Sequence, residues 1–546
     1  MMNTRSTSHP APPRFARAAG MALLLAVSAF MPPAQAGGSI ADGMDLFGAQ
    51  AESPAPDEVQ AAGDYVADPA FHGGEYIEDA FFANQTGATN YFLGRKVARL
   101  PNGDVLTAAL VKNPNGNQTN GYWNIGLVKY DATGTTRKTW FNAGTYGHAG
   151  SEYIVFPKAD TANYSWIQDL KIIGNFIVIS TNLNFGGSTT DIDTYILVFD
   201  TDGAFRSSTA VFNHDTAAEY IGGMEVYSTG IGTTTNNVVV VGTRMAGSAV
   251  PRPVFQRFTL NANGTLTDQT GVVALNAAAC SNTGDDCEAK GIALGGRILG
   301  ATGAPPIFVA NMRRAGGTSG EANIAVMKIN ADGVPDSNWA SIAWNTSPGG
   351  NRADIPFGIA VKTTGLGIPT NPLVHTVYVG SYIDRACRSG ISVLRTGTAD
   401  GGGTAVAKTF GGSDATGTNC TILRPSADIG NGLAMQDGKL AIAGYRTWQP
   451  ICPIGTTCED RVDGMVAVLS DLTVQSFATY PYPILGPRDR HTGFWGVVGT
   501  GNGKFVAVGD DRFRNDSDVA ANLRGKQSVA ILGLAPDDSI FSDGFD

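Results

Sequence analysis

The chain has 546 residues, 43% of them hydrophobic and 16% charged, which is enough apolar material for a large core. Its 38 basic and 48 acidic residues leave a net charge of -10, which opposes nonspecific binding to nucleic acid or to anionic membrane surfaces. Seventy glycines and 27 prolines interrupt it too often for long helices, and β-branched and aromatic residues dominate the apolar runs, so an all-β chain is expected.

Residues 1–36 have the pattern of a signal peptide. Arg5, Arg14 and Arg17 precede the apolar run Met21–Phe30, and Ala34-Gln-Ala36 offers the small residues at which cleavage after Ala36 is expected. The run is too short for the ~20 residues of a bilayer span, so no transmembrane segment is expected once it is removed. Residues 37–63, rich in Ala, Gly, Pro and acids, are a flexible lead-in.

Residues 64–536 carry a unit that recurs seven times by this reading: an apolar strand led by glycine, a tight turn, a second apolar strand, a variable connection and a third strand. Copies begin near Lys96, Gln168, Gly222, Gly291, Gly358, Gly432 and Gly496. Their spacing of roughly 50 to 75 residues fits propeller blades better than helical solenoids. The expected fold is a single β-propeller of seven four-stranded blades, with six or eight as the neighbouring counts. Radial repetition lets a long β-rich chain avoid exposed sheet edges.

With strands A to D counted from the axis, the A-B and C-D turns emerge on one face. Pro101-Asn-Gly-Asp104, Asp200-Thr-Asp-Gly203, Asn261-Ala-Asn-Gly264 and Asn330-Ala-Asp-Gly333 are such turns. The longer B-C and D-A connections emerge on the opposite face, where localised function is expected. All six cysteines map there. Cys280 with Cys287 and Cys452 with Cys458 pair by proximity, leaving Cys387 for Cys420, a pattern suited to an oxidising compartment.

Arg244, Arg313, Arg446 and Arg512 recur after strand B, where they either hold an anion or pair with acids of the fold. With Tyr382 and Trp448 they are the candidate ligand-binding residues. Acids crowd at Asp191 and Asp193, at Asp285, Asp286 and Glu288, and at Asp510, Asp511, Asp516 and Asp518. Calcium is the one metal such clusters admit, yet none has the spacing of a calcium loop; no cofactor, metal site or catalytic residue is otherwise expected.

The turn Gln436-Asp-Gly-Lys439 with Ala443-Gly444, and Ala325-Val-Met-Lys-Ile-Asn-Ala-Asp-Gly333 followed by Asp336-Ser-Asn-Trp339, resemble the delta-60 repeat of bacterial secreted β-propellers. Asp68-Pro-Ala-Phe71 followed by Gly73-Gly74 resembles the post-turn segment of that repeat. The resemblance implies that Asp64 to Phe71 form the outer strand of the blade built from Gly496 to Leu532, fastening the ring. It implies no catalytic residues. Residues 537–546 form a tail whose Ile-Phe-x-Asp-Gly-Phe-acid ending resembles those of exported proteins of some Gram-negative bacteria.

The expected function is that of a monomeric binding or scaffolding propeller, extracellular or periplasmic, that holds a protein or glycan on its long-loop face. The alternative is a secreted hydrolase or lyase acting on a polysaccharide, which for hydrolysis would need two carboxyl groups about 5 to 10 Å apart in the axial channel.

Overall fold

The computed structural model describes residues 65–79, 92–112, 123–148, 150–156, 162–185, 192–212, 218–230, 234–245, 250–275, 280, 285–298, 301–314, 322–339, 342–344, 353–385, 388–396, 405–410, 426–448, 461–480, 490–513 and 527–537. Its strands group into seven antiparallel blades arranged as a ring. The inner strands are Phe92–Arg99, Ala162–Ile173, Glu219–Thr229, Asp286–Leu294, Ala353–Thr364, Ser426–Gln436 and Arg490–Gly501. Consecutive inner strands pack side by side, and the seventh packs against the first. The chain is therefore a seven-bladed β-propeller, as its repeat predicts. Blades four and five are additionally bridged at one parallel residue pair, Ala322 with Ala353.

The apolar runs follow from each second strand having a blade on either side. In blade three the strand Thr235–Arg244 contains Val238, Val239, Val240 and Val241, all fully buried. Val238 and Val240 join the core shared with blade two, whereas Val239 and Val241 join the core shared with blade four. Alternation of apolar and polar residues disappears because both faces are covered.

The turns form as their sequences demand. Gly203 N–H bonds the carbonyl of Asp200, and Asp200 Oδ1 accepts from the backbone N–H of Asp202 and Ala204. Asn330 organises Asp332, Gly333 and Val334 in the same way. Gly203 and Gly333 have φ of +102° and +77°, a region that favours glycine. Each turn also presses on the preceding blade: a Cβ would lie 2.9 Å from the Trp140 ring at Gly203 and 2.7 Å from the Phe255 ring at Gly333.

The chain ends meet in blade seven. Tyr65–Ala67 and Ile77–Asp79 both pair antiparallel with Gln527–Pro536 and supply its outer edge. Between them, Asp68 accepts from Ala70 N–H at 2.9 Å and from Phe71 N–H at 2.9 Å. Asp336 makes the same kind of turn with Asn338 and Trp339 in blade four, so the segment from Asp68 to Phe71 is built like a post-turn piece of a blade. The closing segment also binds its neighbours. Tyr76 Oη donates to Tyr480 O at 2.5 Å in blade six, and Tyr480 Oη donates to Tyr65 O at 2.7 Å. Toward blade one, the fully buried Asp79 accepts from the hydroxyls of Tyr130 and Tyr153.

Several placements differ from expectation, among them the four arginines, which lie within the second strands rather than after them. Asp510 and Asp511, expected in a B-C connection, lie buried within the second strand Lys504–Phe513; Cys287, expected in a loop, lies within the inner strand Asp286–Leu294. For Asp510 and Cys287 the strand runs further toward the long-loop face than its apolar run, with Trp495 Nε1 holding Asp510 and a disulfide to Cys280 holding Cys287. The signal peptide, the whole lead-in, and nearly all of the tail lie outside the described residues. Among the described residues no helix is long and apolar enough to cross a membrane.

Candidate functional site

Every inner strand carries a β-bulge at the same level. The register slips around Arg95, Gln168, Gly222, Lys290, Phe357, Asn431 and Trp495 in blades one to seven. A bulge leaves one residue outside the ladder and re-aims its side chain. Six of these residues, all but Arg95, line the axial space. In four blades the residue after the bulge is the glycine that leads the repeat. A Cβ at Gly496 would lie 2.8 Å from the Arg95 carbonyl oxygen, so the glycine is needed where inner strands meet at the axis.

The bulges form a waist between two spaces. Above it, toward the long-loop face, is a chamber of about 180 Å³; below it the axial tunnel holds about 500 Å³. Gln168, Gly222, Lys290, Phe357, Asn431 and Lys96 line both. Trp166, Tyr220, Tyr382, Tyr445, Phe357 and Trp495 give the chamber aromatic walls, and Asn182, Glu288 and Arg314 add polar groups. The amides tie one blade to the next: Gln168 Nε2 donates to Gly222 O at 3.0 Å, and Asn431 Nδ2 donates to Phe494 O at 3.0 Å. Burial, with the Glu288 charge adding to it, pushes the Tyr220 phenol up to about 12, and burial raises Tyr445 further. Both stay neutral hydroxyls at ordinary pH.

Blade one departs from the pattern. Its bulged Arg95 is buried, and its guanidinium lies 4.3 Å from the Trp166 ring and 4.4 Å from the Trp495 ring, joining blades two, one and seven. Trp495 Nε1 donates to Asp510 Oδ1 at 2.5 Å. Burial holds Arg95 down to about 10 despite Asp510, and raises Asp510 to about 6 despite Arg95, Trp495 and Arg512. In blade three, burial and the Asp193 charge raise Glu219 to about 8, opposed by Arg244.

These two acids set a pH dependence. Both bind protons more tightly folded than unfolded, so the folded state carries extra protons between about pH 4 and 8. Stability is then highest at the acid end of that window and falls as pH rises through 6 and 8. We expect urea unfolding to show a loss on the order of 5 kcal/mol from pH 5 to 9, and Glu219→Gln to flatten the upper half of the decline. Equal slopes in wild type and variant would refute the assignment to Glu219.

Of the residues singled out from sequence, Tyr382 belongs to the chamber wall. The four arginines end their second strands in opposite phase to the chamber-lining Thr243, Met312 and Tyr445 and are not among its lining. Arg313 bonds Asp285 through Nη2 at 2.7 Å and Nε at 2.9 Å. Arg446 stacks 4.5 Å over Phe477, Arg244 stands opposite Glu219, and Arg512 acts on Asp510. The side chain of Trp448 lies outside the described residues, as do Cys387, Cys420, Cys452 and Cys458. Cys280 and Cys287 form a disulfide with Cα atoms 5.8 Å apart. Among the described residues no group of three or more His, Cys, Asp or Glu is placed to hold a metal; Asp285 and Glu288 of the suspected calcium cluster pair with Arg313 and Arg314.

Apart from Trp495, an aromatic that the sequence places beside a long loop, the residues that sequence reading missed are those at the bulges. Their signal is position: Lys290-Gly291, Phe357-Gly358, Asn431-Gly432 and Trp495-Gly496 each put the waist residue just before the leading glycine.

The strand pairing thus defines a seven-bladed β-propeller with an aromatic axial chamber. No family model and no curated protein matches the chain. Among solved structures it is similar to a PL25 polysaccharide lyase, an ulvan lyase bound to -[GlcA(1-4)Rha3S]-, at 10% identity and a TM-score of 0.42 over 85% of this chain and 99% of that one. It is also similar to Trypanosoma rangeli sialidase with the inhibitor DANA, at 12% identity and a TM-score of 0.35, covering 84% of this chain and 59% of the other. A Penicillium chrysogenum alpha-L-arabinanase complexed with arabinobiose matches at 10% identity and a TM-score of 0.31, over 60% of this chain and 98% of that one. Likenesses at this level carry no argument about the chemistry of this chain, and its fold rests on its own strand pairing.

Proposed function

We propose that the protein is an exported recognition module that binds a saccharide in the axial chamber through its long-loop face. The observation that carries this is the chamber wall itself, where aromatic faces alternate with amide and charged groups around one concave space. Flat aromatic surfaces pack against the C–H faces of sugar rings, while amides and hydroxyls match their alternating hydroxyls. A hydrolytic reading needs a second carboxyl group. Among the described lining residues Glu288 is the one acid, and it is engaged by Lys290 at 2.7 Å. A lyase reading needs a base, and Tyr220 and Tyr445 are shifted away from that role.

Export is supported by the apolar N-terminal pattern together with the Cys280–Cys287 disulfide. We also take the repeat as a diverged delta-60 repeat, on the residues of its Asp-Gly-Lys turn and post-turn segments.

The test is calorimetric titration of the mature protein with a panel of oligosaccharides. Tyr382→Ala and Trp495→Ala are each expected to weaken the binding oligosaccharide about tenfold or more, with Tyr382→Ala leaving the unfolding midpoint nearly unchanged. Binding that both variants retain in full would place recognition elsewhere.

A further inference from the structure

We propose that the saccharide is acidic and that its carboxylate or sulfate sits at the waist between Lys96 and Lys290; this rests on the chamber being a saccharide site. The chamber lining carries Lys96, Lys290 and Arg314 against Glu288, three cations to one carboxylate, in a chain whose net charge is -10. Glu288 is shared between Lys290 Nζ at 2.7 Å and Arg314 Nη1 at 3.7 Å, and Arg314 also acts on Asp286. Below the waist Lys171 is matched by Glu225 at 2.6 Å.

Lys96 is different. Among the described residues no carboxylate forms an ion pair with it, and the acid that acts on it, Asp169, accepts the Met224 N–H at 2.7 Å through Oδ2. Burial lowers its affinity for a proton, Asp169 opposes this, and Lys171 and Arg95 add to it. A cation held inside a ring without an ion-pair partner is costly, and a ligand that brings the anion offsets that cost. Low-dielectric walls also focus the field of the waist up into the chamber.

The layout gives the ligand a direction. Trp166 and Tyr220 precede their bulges by two residues and so stand above the waist, whereas Lys96 follows its bulge and faces both the chamber and the tunnel. Sugar rings therefore lie against the aromatic wall with the anionic group lowermost.

The experiment is titration of the mature protein with tetragalacturonate and its methyl ester, and with a sulfated galactan oligosaccharide and its desulfated form. Whether carboxylate or sulfate is the natural group follows from which pair shows the larger difference. At least one anionic form is expected to bind about tenfold or more tightly than its neutral counterpart, with affinity falling as salt rises. Lys96→Met is expected to abolish that difference, and Lys96→Arg to restore it. Equal binding of anionic and neutral forms by the wild type overturns the inference, as does a preference that survives Lys96→Met. Should Lys96→Met fail to fold, the wild-type comparison and its salt dependence decide alone. If forms of either charge bind equally and Trp495→Ala weakens both, the chamber stands and the anion assignment falls. If no oligosaccharide binds, both fall.

Discussion

Asp79→Ala is expected to lower the unfolding free energy by about 3 to 5 kcal/mol, because it removes the group that seals the ring. Asp79 is carried by the outer edge of blade seven, and its carboxylate accepts from Tyr130 and Tyr153 of blade one, the latter at 2.7 Å. Arg137 Nε stands 3.3 Å away. Asp79 is fully buried while the Arg137 side chain is 37% exposed, so the ion pair is discounted for solvent and the two phenols carry most of the effect. Each buried hydroxyl left without its acceptor costs about 1 to 3 kcal/mol. Asp79→Asn keeps one acceptor oxygen and is expected to lose roughly half as much. Chemical denaturation measures the loss, and limited proteolysis in the lead-in reports whether the closing strand has come away. A loss below about 1 kcal/mol would mean that the ring does not depend on this contact.

Gly222→Ala should destabilise by about 3 kcal/mol or more, whereas Gly303→Ala should stay within about 0.5 kcal/mol of wild type. A Cβ at Gly222 would lie 2.1 Å from the Ala289 carbonyl oxygen and 2.5 Å from its carbon, both backbone atoms of the next inner strand. Backbone cannot swing aside as a side chain can, so blades three and four must part. At Gly303 a Cβ meets nothing within 4 Å. Because Gly222 is itself a waist residue, the variant should also weaken saccharide binding. Comparable unfolding midpoints for the two variants would contradict the close packing of inner strands at the axis.

Much of this architecture is legible in the chain because its determinants are local. Asx-initiated turns such as Asp200 to Gly203 need only their own four residues, and the buried second strands announce themselves as apolar runs such as Val238 to Val241. Ring closure was legible through Asp68-Pro-Ala-Phe71, whose turn is repeated at Asp336. The site was less so. The recurring arginines stand out in sequence, yet strand alternation sends them into the blade flanks, as Arg313 to Asp285. Whether a residue near the end of a strand faces the axis depends on the bulge, and a bulge shifts the phase by one residue. Trp495 and Lys290 reach the axial space for that reason, and a strict two-residue alternation read from sequence misplaces them.

A crystal structure of the mature protein with the tightest oligosaccharide of the panel decides most directly where recognition occurs. The sugar is expected above the waist, with a ring against Trp166, Tyr445 or Trp495 and any anionic substituent toward Lys96. A sugar bound on the A-B turn face or along the outer strands, with the chamber unchanged, would contradict it.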